Sequence, residues 1–463
     1  MKPRVALAVI LGAALGGCMA GPDYRRPEVE VPAAYKEAGA WKPAQPNDAA
    51  RRGQWWKVFG DPELDALVAQ IEIGNQNLRL AEAQYRQARA LVGQARAALF
   101  PSLSGSVSVV RGRSPASGPA STSHVLSLDA SWEADLWGRV RREVEANVAG
   151  AEASAADLAN ARLSAQSELA SDYFQLRVLD VERQLLDDTV SAYQKSLALT
   201  RNKYAVGVAG RIDLVEAQTQ LMSTQAQAID VGVARAQLEH AIAVLLGKPP
   251  AQFSLPRASI AIGMPAIPPG LPSELLERRP DIAGAERRVA AANAQIGVAK
   301  SAYFPDLTLS ASGGFQSPSV ADWISAPNRF WSIGPSLVQS IFDAGLRRAQ
   351  TEQAIAAYDA SVASYRQTVL GAFQEVEDNL AALRILEQEA AVQDEAARSA
   401  RESVALTLNQ YKAGTVDYLS VVTVQATQLS NERAAVVIYG QRLVAAVALI
   451  KALGGGWQAP AGR

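Results

Sequence analysis

Two periodicities take turns along this chain. From Leu103 to Val109 the apolar or small residues Leu103, Gly105, Val107 and Val109 alternate with Ser104, Ser106 and Ser108, the two-residue period of a strand. The alternation recurs over Leu126, Leu128, Ala130, Trp132, Ala134 and Leu136, set against Ser127, Asp129, Ser131, Glu133 and Asp135. It returns at Leu307, Leu309, Ala311 and Phe315 against Thr308, Ser310 and Ser312, and less cleanly from Trp331 to Phe342. Strands are therefore expected over 102–111, 124–136, 306–315 and 331–342, joined in pairs by Ser-, Gly- and Pro-rich loops at 111–124 and 316–329. One face of each strand is apolar and the other carries Ser, Asp and Glu, which suits lipid outside and water inside. Strands of about 9–11 residues cross a bilayer when tilted. Aromatic residues (Phe100, Trp132, Trp137, Phe304, Phe330, Trp331, Phe342) gather at the strand ends, where interfacial girdles form. Four strands cannot close a barrel and open edges are not tolerated in lipid, so a barrel shared between copies is expected.

The rest of the pattern is helical. Proline is absent from 120–248 and from 336–459 but crowds 22–62, 249–280 and 305–335; because proline breaks helix interiors, the gaps mark two long helical blocks. The blocks repeat. Ala98-Leu99-Phe100-Pro101-Ser102-Leu103 matches Ala302-Tyr303-Phe304-Pro305-Asp306-Leu307 at an offset of 204, and Tyr204-Ala205-Val206-Gly207 matches Tyr411-Lys412-Ala413-Gly414 at 207, so a tandem duplication of roughly 200 residues per copy is expected. A helix over 138–206 reaches about 100 Å at roughly 1.5 Å per residue. One long helix (138–206, then 345–413) flanked by two shorter ones stacked end to end (75–99 with 211–247, then 280–302 with 417–453) accounts for both copies. Gly207 to Gly210 and Gly414 mark the turns, since glycine favours the position just past a helix end. Asp213 and Asp417 follow in the first turn of each returning helix, where the dipole favours a carboxylate.

Composition narrows the class. With 45 Lys+Arg against 46 Asp+Glu and a net charge of −1, the chain has no field to attract nucleic acid. One Cys and two His exclude a disulfide framework, a Cys/His zinc site and an HExxH motif, and no cofactor is expected. Nearly a fifth of the residues are Ala, the best helix former. No GxxxxGK[ST], GxSxG or GxGxxG occurs, and the carboxylates are spread along helices rather than paired, so the chain is expected not to be an enzyme. Lys2 and Arg4 precede an apolar run from Val5 to Leu15 that ends in Gly16-Gly17-Cys18, a secretory layout too short to span a bilayer. Leu15-Gly16-Gly17-Cys18 resembles a bacterial lipobox, which implies removal of 1–17 and lipidation of Cys18. Met19 follows where an Asp would resemble an inner-membrane retention signal, so outer-membrane sorting is implied. Loss of 1–17 takes the net charge from −1 to −3.

Three motifs then stand in order within the duplicated frame: Cys18-Met19-Ala20-Gly21-Pro22-Asp23-Tyr24; Trp55-Trp56-Lys57-Val58-Phe59-Gly60-Asp61-Pro62-Glu63-Leu64; and Arg278-Arg279-Pro280-Asp281-Ile282 running through Ala291-Ala292-Asn293-Ala294-Gln295-Ile296-Gly297 to Phe304-Pro305. With them the chain resembles the TolC-like outer-membrane factors, in the lipoprotein branch that serves resistance-nodulation-division efflux pumps. The resemblance implies a mainly α protein with a membrane β-barrel: a homotrimer with a shared 12-stranded barrel, a helical periplasmic tunnel, and a mixed collar from 22–60, 249–279 and the C-terminal tail. The expected organisation is a signal peptide at 1–17, an anchor and collar segment at 18–60, repeat 1 at 61–248, a collar linker at 249–279, repeat 2 at 280–453 and a tail at 454–463.

The implied function is passive export of small molecules through the outer membrane, with a periplasmic adaptor, an inner-membrane pump and outer-membrane lipid as partners. With the barrel facing outward, the hairpin tips at 204–213 and 411–419 form the periplasmic end and the expected gate. Relatives carry a Tyr-Leu-x-x-x-Asp-Ala-Gln pattern at the start of the last long helix. Here Leu419 matches the Leu, but Thr423 stands where the Asp is expected, so Asp417 is left to supply charge. Asp213 and Asp417 act either at the gate or as ordinary helix caps. Tyr204 and Tyr411, with Gly207, Lys412 and Gly414, either pack between neighbouring hairpins and contact an adaptor or staple their own turns. A type I secretion duct and a structural periplasmic coiled-coil lipoprotein are the alternatives, and nothing in the residues selects among drugs, metal ions and protein as cargo.

Overall fold

The computed structural model describes residues 19–38, 54–113, 120–260, 263–265, 267 and 278–456. In chain order the main elements are α1 (Pro62–Gly74), α2 (Gln76–Ala97), β1 (Ser102–Gly112), β2 (Ser121–Glu133), α3 (Arg139–Ala205), α4 (Arg211–Leu245), α5 (Pro280–Ser301), β3 (Asp306–Ser317), β4 (Arg329–Val338), α6 (Leu346–Ala413) and α7 (Tyr418–Ala452). The two copies agree closely in length: α2 and α5 both have 22 residues, α3 and α6 have 67 and 68, and α4 and α7 both have 35.

Short helices meet end to end in both copies, each time through one polar side chain. Asn75 separates α1 from α2; its amide donates to the Leu245 carbonyl at 2.8 Å and its oxygen accepts from the Leu78 N–H at 3.0 Å. The end of α4 is thus seated against the α1–α2 break. In the second copy Arg279, at the start of α5, donates to the Ala452 carbonyl at the end of α7 (3.1 Å) and pairs with Asp281 (2.6 Å) and Glu375 (2.7 Å). The helix expected from 75 is therefore preceded by a separate one, α1. Asp61 caps it by accepting from the Glu63 and Leu64 N–H groups, and Pro62 occupies the first position, where a missing N–H costs nothing.

The strands form one antiparallel sheet in the order β1-β2-β3-β4. Its register aligns the faces. Leu103, Ala130, Ala311 and Ile333 stand side by side, as do Gly105, Leu128, Gly313 and Trp331, whereas Ser104, Asp129, Ser312 and Ser332 form a row on the opposite face. A one-residue slip in any strand would mix the two. Several strand ends differ from the alternation. β2 stops at Glu133 rather than 136 because Asp135 turns away to accept from the Val140 and Arg141 N–H groups at the start of α3. β4 runs over 329–338 rather than 331–342; beyond it Asp343 accepts from Gly345 and Arg347 and opens α6. Residues 121–123 and 316–317, expected in loops, belong to β2 and β3, and β4 begins at Arg329. Phe330 stands in the row of Ser106, Ser127 and Gly314, on the polar face.

The chain falls into two compact units. One comprises Met1–Val29, Glu82–Ala156 and Ile282–Thr368; the other comprises Glu30–Ala81, Asp157–Asp281 and Val369–Arg463. In the first, the extended segment 19–26 is strapped to the helices. Arg142, fully buried, donates to the Ala20 carbonyl (3.2 Å) and pairs with Asp23 and Glu145, both at 2.8 Å. Asn293 donates to the Pro22 carbonyl and the Tyr24 hydroxyl to Glu286. A Cβ on Gly297 would fall 2.8 Å from the Ala20 carbonyl oxygen, so only glycine lets the strap lie flush against α5.

In the second unit a buried charge network ties the described part of the 249–279 linker down. Arg177 donates to the Pro256 carbonyl (2.7 Å) and pairs with Asp180 (2.9 Å) and Glu63 (2.5 Å); Arg235 pairs with Asp180 (2.7 Å) and donates to the Leu255 carbonyl (2.6 Å). Of the segments expected to form the collar, residues 39–53, 261–262, 266, 268–277 and 457–463 lie outside the described set, as do the expected signal segment 1–17 and Cys18. Helix α7 is apolar enough to cross a membrane by composition, but Val421, Leu443, Val447 and Leu449 along it are fully buried in the protein.

One acid in this unit is out of balance. Burial, reinforced by the Glu168 carboxylate one turn away, pushes the Asp172 carboxyl up to about 6. A raised carboxyl pKa means that the ionised form costs stability, fully so above 6 and not at all below the unfolded value of about 4. Asp172→Asn is therefore expected to stabilise the protein at pH 7.5 by on the order of 1 kcal/mol after allowance for partial solvent exposure, and to give no gain at pH 4. Thermal unfolding of both proteins at the two pH values tests this.

Candidate functional site

The polar face of the sheet carries a connected hydroxyl and carboxylate chain. Ser106 and Ser127 hydroxyls lie 2.8 Å apart, and Asp129 accepts from Ser127 (2.7 Å) and from Ser312 (2.6 Å). Three strands thus contribute to one hydrophilic track, opposite an apolar face on which Leu103, Val107, Leu128, Trp331 and Ile333 are exposed. A sheet with these two faces can separate water from lipid, and its outer strands β1 and β4 have open edges.

The two hairpin turns at the ends of α3 and α6 are built alike. The Gly207 N–H (φ +77°) donates to the Tyr204 carbonyl and Val208 to Lys203; the Gly414 N–H (φ +79°) donates to Tyr411 and Thr415 to Gln410. These paired bonds satisfy the last carbonyls of each long helix, and they require a left-handed residue where each glycine stands. Asp213 accepts from the Gly210 N–H at 3.0 Å. Asp417 caps α7, accepting from the Ser420 hydroxyl (2.6 Å) and N–H (3.0 Å), and these bonds hold its carboxyl below the usual carboxylate range. Leu419 is 55% exposed. The Thr423 hydroxyl is turned back onto the Leu419 carbonyl at 2.9 Å, so at this level the surface presents an apolar side chain and no acid.

The two tyrosines, equivalent in the repeat, occupy different surroundings. Tyr204 is half-exposed, whereas Tyr411 is buried. The Tyr411 hydroxyl lies 3.2 Å from that of Thr200, its ring meets Tyr418 edge-on at 5.3 Å, and the Lys203 ammonium sits 4.2 Å above it while donating to the Tyr411 carbonyl. Tyr418 in turn lies 3.2 Å from the Ser196 hydroxyl. Burial pushes both phenols up, which keeps them neutral hydrogen-bonding groups. The cluster links α3 of the first hairpin to α6 and α7 of the second. Lys412 and Gly414 are exposed beside it.

Sequence reasoning did not reach Ser196, Thr200, Lys203 or Tyr418. The signal available was positional: Ser196, Thr200 and Lys203 recur at i, i+4 and i+7 on one helix face, and Tyr411 and Tyr418 flank a turn seven residues apart. Also unremarked were Val206, Val208 and Ile212, which are 74%, 69% and 69% exposed at the first turn. The equivalent positions of the second turn are Ala413, Thr415 and Leu419, of which only Leu419 is a large exposed apolar residue. Such an apolar cluster on one tip marks a contact surface.

The sequence profile of the outer membrane efflux protein family matches residues 67–248 and 271–455. The chain is similar to the probable efflux pump outer membrane protein TtgC of Pseudomonas putida, with 32% identity over 458 residues, covering 97% of this chain and 95% of TtgC. Among solved structures it is similar to the outer-membrane channel OprN (33% identity, TM-score 0.89, 95% of this chain and 100% of that one). It is also similar to the MtrE outer membrane channel of Neisseria gonorrhoeae, solved in its open state (30% identity, TM-score 0.84, 95% and 98%).

Proposed function

Because this chain belongs to the outer membrane efflux protein family, we propose that three copies form a passive duct for small molecules, fed by an inner-membrane pump and opened at the hairpin tips by a periplasmic adaptor. The protein is an outer-membrane efflux channel. The observation that carries the finer reading is the single four-stranded sheet with one apolar face, one Ser/Asp face and two open edges. In lipid those edges have to be paired, and three copies supply the twelve strands of a barrel with a wet bore. The Asp129–Ser312 track then faces the bore and Leu103, Val107 and Ile333 face lipid. Cys18, read as the lipidated first residue, adds an acyl anchor.

Gating is assigned to the tips. The Tyr411–Thr200–Lys203 cluster acts as a latch between the two hairpins of one protomer, and Leu419 with Asp417 lines the narrow end. Opening moves α6 and α7 outward once an adaptor offers better contacts than the latch does; a ligand shifts such an equilibrium only by binding the open state more tightly. The exposed Val206, Val208 and Ile212 are the adaptor's apolar landing points, and Lys412 lies within reach of the same partner. The drive for transport comes from the pump.

The test is in-cell photocrosslinking from a probe at Lys412, with the captured protein identified by mass spectrometry. A resistance-nodulation-division adaptor is expected, and Val208→Asp with Ile212→Asp is expected to lower its capture about tenfold, the effect of roughly 1.4 kcal/mol, while trimer levels stay unchanged. Capture of an ABC-type adaptor assigns the duct to secretion instead. Capture of no envelope protein removes the hairpin tips from the adaptor-contact reading.

A further inference from the structure

The apolar face of the sheet contains a groove of about 420 Å³ where the register sets two small residues side by side. Ala130 and Ala311 form its floor, and Trp132, Leu309, Ile333 and Pro335 form its walls. All six point to the apolar face, in two adjacent side-chain rows separated by the single Leu307–Leu337 row from the end where β2 leaves the sheet and β3 enters it. Nothing in the Ser/Asp track or the hairpin latch uses this groove.

The N-terminal strap ends beside that same foot of the sheet. The Ala20 N–H donates to the Trp137 carbonyl at 2.9 Å. The Trp137 indole donates to the Pro305 carbonyl at 2.9 Å and its ring stacks on Phe304 at 4.6 Å; Asp306, the first residue of β3, comes next in the chain. Met19 packs against Gly138. Arg142 clamps Ala20 and Asp23 from below, as described, so the point at which the chain emerges toward residue 18 is fixed rather than free to swing.

We propose that the acyl chain carried by Cys18 lies in the Ala130–Ala311 groove of its own protomer, so that the lipid is a packed part of the barrel wall as well as an anchor. This rests on the reading of Cys18 as lipidated. The chemistry suits a saturated hydrocarbon chain: the groove lies on the apolar face of the sheet, it is walled by apolar side chains, and its floor is widened by two methyl-sized side chains. Between apolar surfaces in a bilayer the gain comes from packing rather than from the hydrophobic effect. A chain tethered close to the fixed Ala20 loses less freedom on seating than a free phospholipid tail does.

The experiment supplies cells producing the full chain with a palmitate analogue bearing a photoactivatable diazirine. The outer membranes are irradiated and the trimers digested and mapped by mass spectrometry. A peptide containing Cys18 joined through the acyl chain to a peptide from 128–133, 307–313 or 331–337 reports the tethered chain, whereas the same groove peptides carrying a phospholipid adduct report free lipid. The expected result is that Cys18-joined conjugates concentrate on these segments, and that Ala311→Phe, or Ala130→Leu if the first variant fails to form trimers, lowers them about fivefold by filling the floor. Conjugates spread equally onto outward positions of β1 such as Val107 and Val109, or groove adducts from free phospholipid alone, overturn the proposal while leaving lipidation intact. An N-terminal peptide without acyl mass overturns the reading of Cys18 and the proposal with it.

Discussion

Replacing Arg177 with Met is expected to lower the stability of the protein by about 3 kcal/mol, the lower end of what breaking a buried ion pair costs. The Arg177 and Asp180 side chains are each only 2% exposed. The substitution leaves Asp180 with Arg235 as its one ion-pair partner beside the Ala258 N–H, Glu63 with only the Tyr173 hydroxyl, and the Pro256 carbonyl without the Arg177 donor. Glu63 is 42% exposed and can be hydrated, which is why the loss stays at the lower end. A guanidinium that grips two carboxylates and a carbonyl at once is poorly replaced by an ammonium, so Arg177→Lys is expected to recover little. Arg162→Ala serves as the contrast: its pair with Glu72 has side chains 48% and 40% exposed, and such pairs contribute less than about 1 kcal/mol. Scans of the detergent-solubilised protein at one heating rate, followed by protease resistance, give the comparison, since unfolding of a large membrane assembly is read as a rate.

The second large effect is expected in conduction. Tyr411→Ala should raise baseline conductance in planar bilayers tenfold or more. Truncating a buried aromatic residue costs about 3 kcal/mol or more, and here the lost contacts to Thr200, Lys203 and Tyr418 bridge the two hairpins. A channel resting at about 99:1 in favour of closed holds that state by only roughly 2.7 kcal/mol, so the loss brings the two states level. Lys203→Ala, which removes a cation–π contact of about 0.5–1 kcal/mol, is expected to do a fraction of this. Asp417→Ala removes a helix cap of about 1 kcal/mol and should fall between the two. Unchanged conductance in Tyr411→Ala would remove the latch from the gating scheme.

What could be read from residues alone divides by the distance over which the physics acts. Strand alternation, the proline gaps and the repeat of Tyr204 to Gly207 at Tyr411 to Gly414 are local or translational patterns, and they disclosed the fold class. Strand ends were blurred at Asp135 and Asp343, where apolar alternation continues past the last ladder bond because a carboxylate has already begun to cap the next helix. Helix α1 was hidden behind the Pro-rich stretch 22–62, although Asp61-Pro62 is a helix-start signature. The cross-hairpin cluster was out of reach for a different reason. Thr200 and Tyr411 are 211 residues apart, and neither carries a local mark that names its partner. The strap was similarly opaque: Gly297 stood within a recognisable motif, but that its missing side chain makes room for Ala20 depends on a contact made only on folding.

The open edges of β1 and β4 also carry a genetic consequence. In the proposed trimer each subunit offers one edge to the neighbour on its left and the other to the neighbour on its right, so a ring is only as good as its worst member. In a cell that makes equal amounts of intact subunit and of a variant that inserts but cannot conduct, random assembly leaves about one ring in eight free of the variant. A recessive loss at the level of the single chain thereby becomes dominant at the level of the pore.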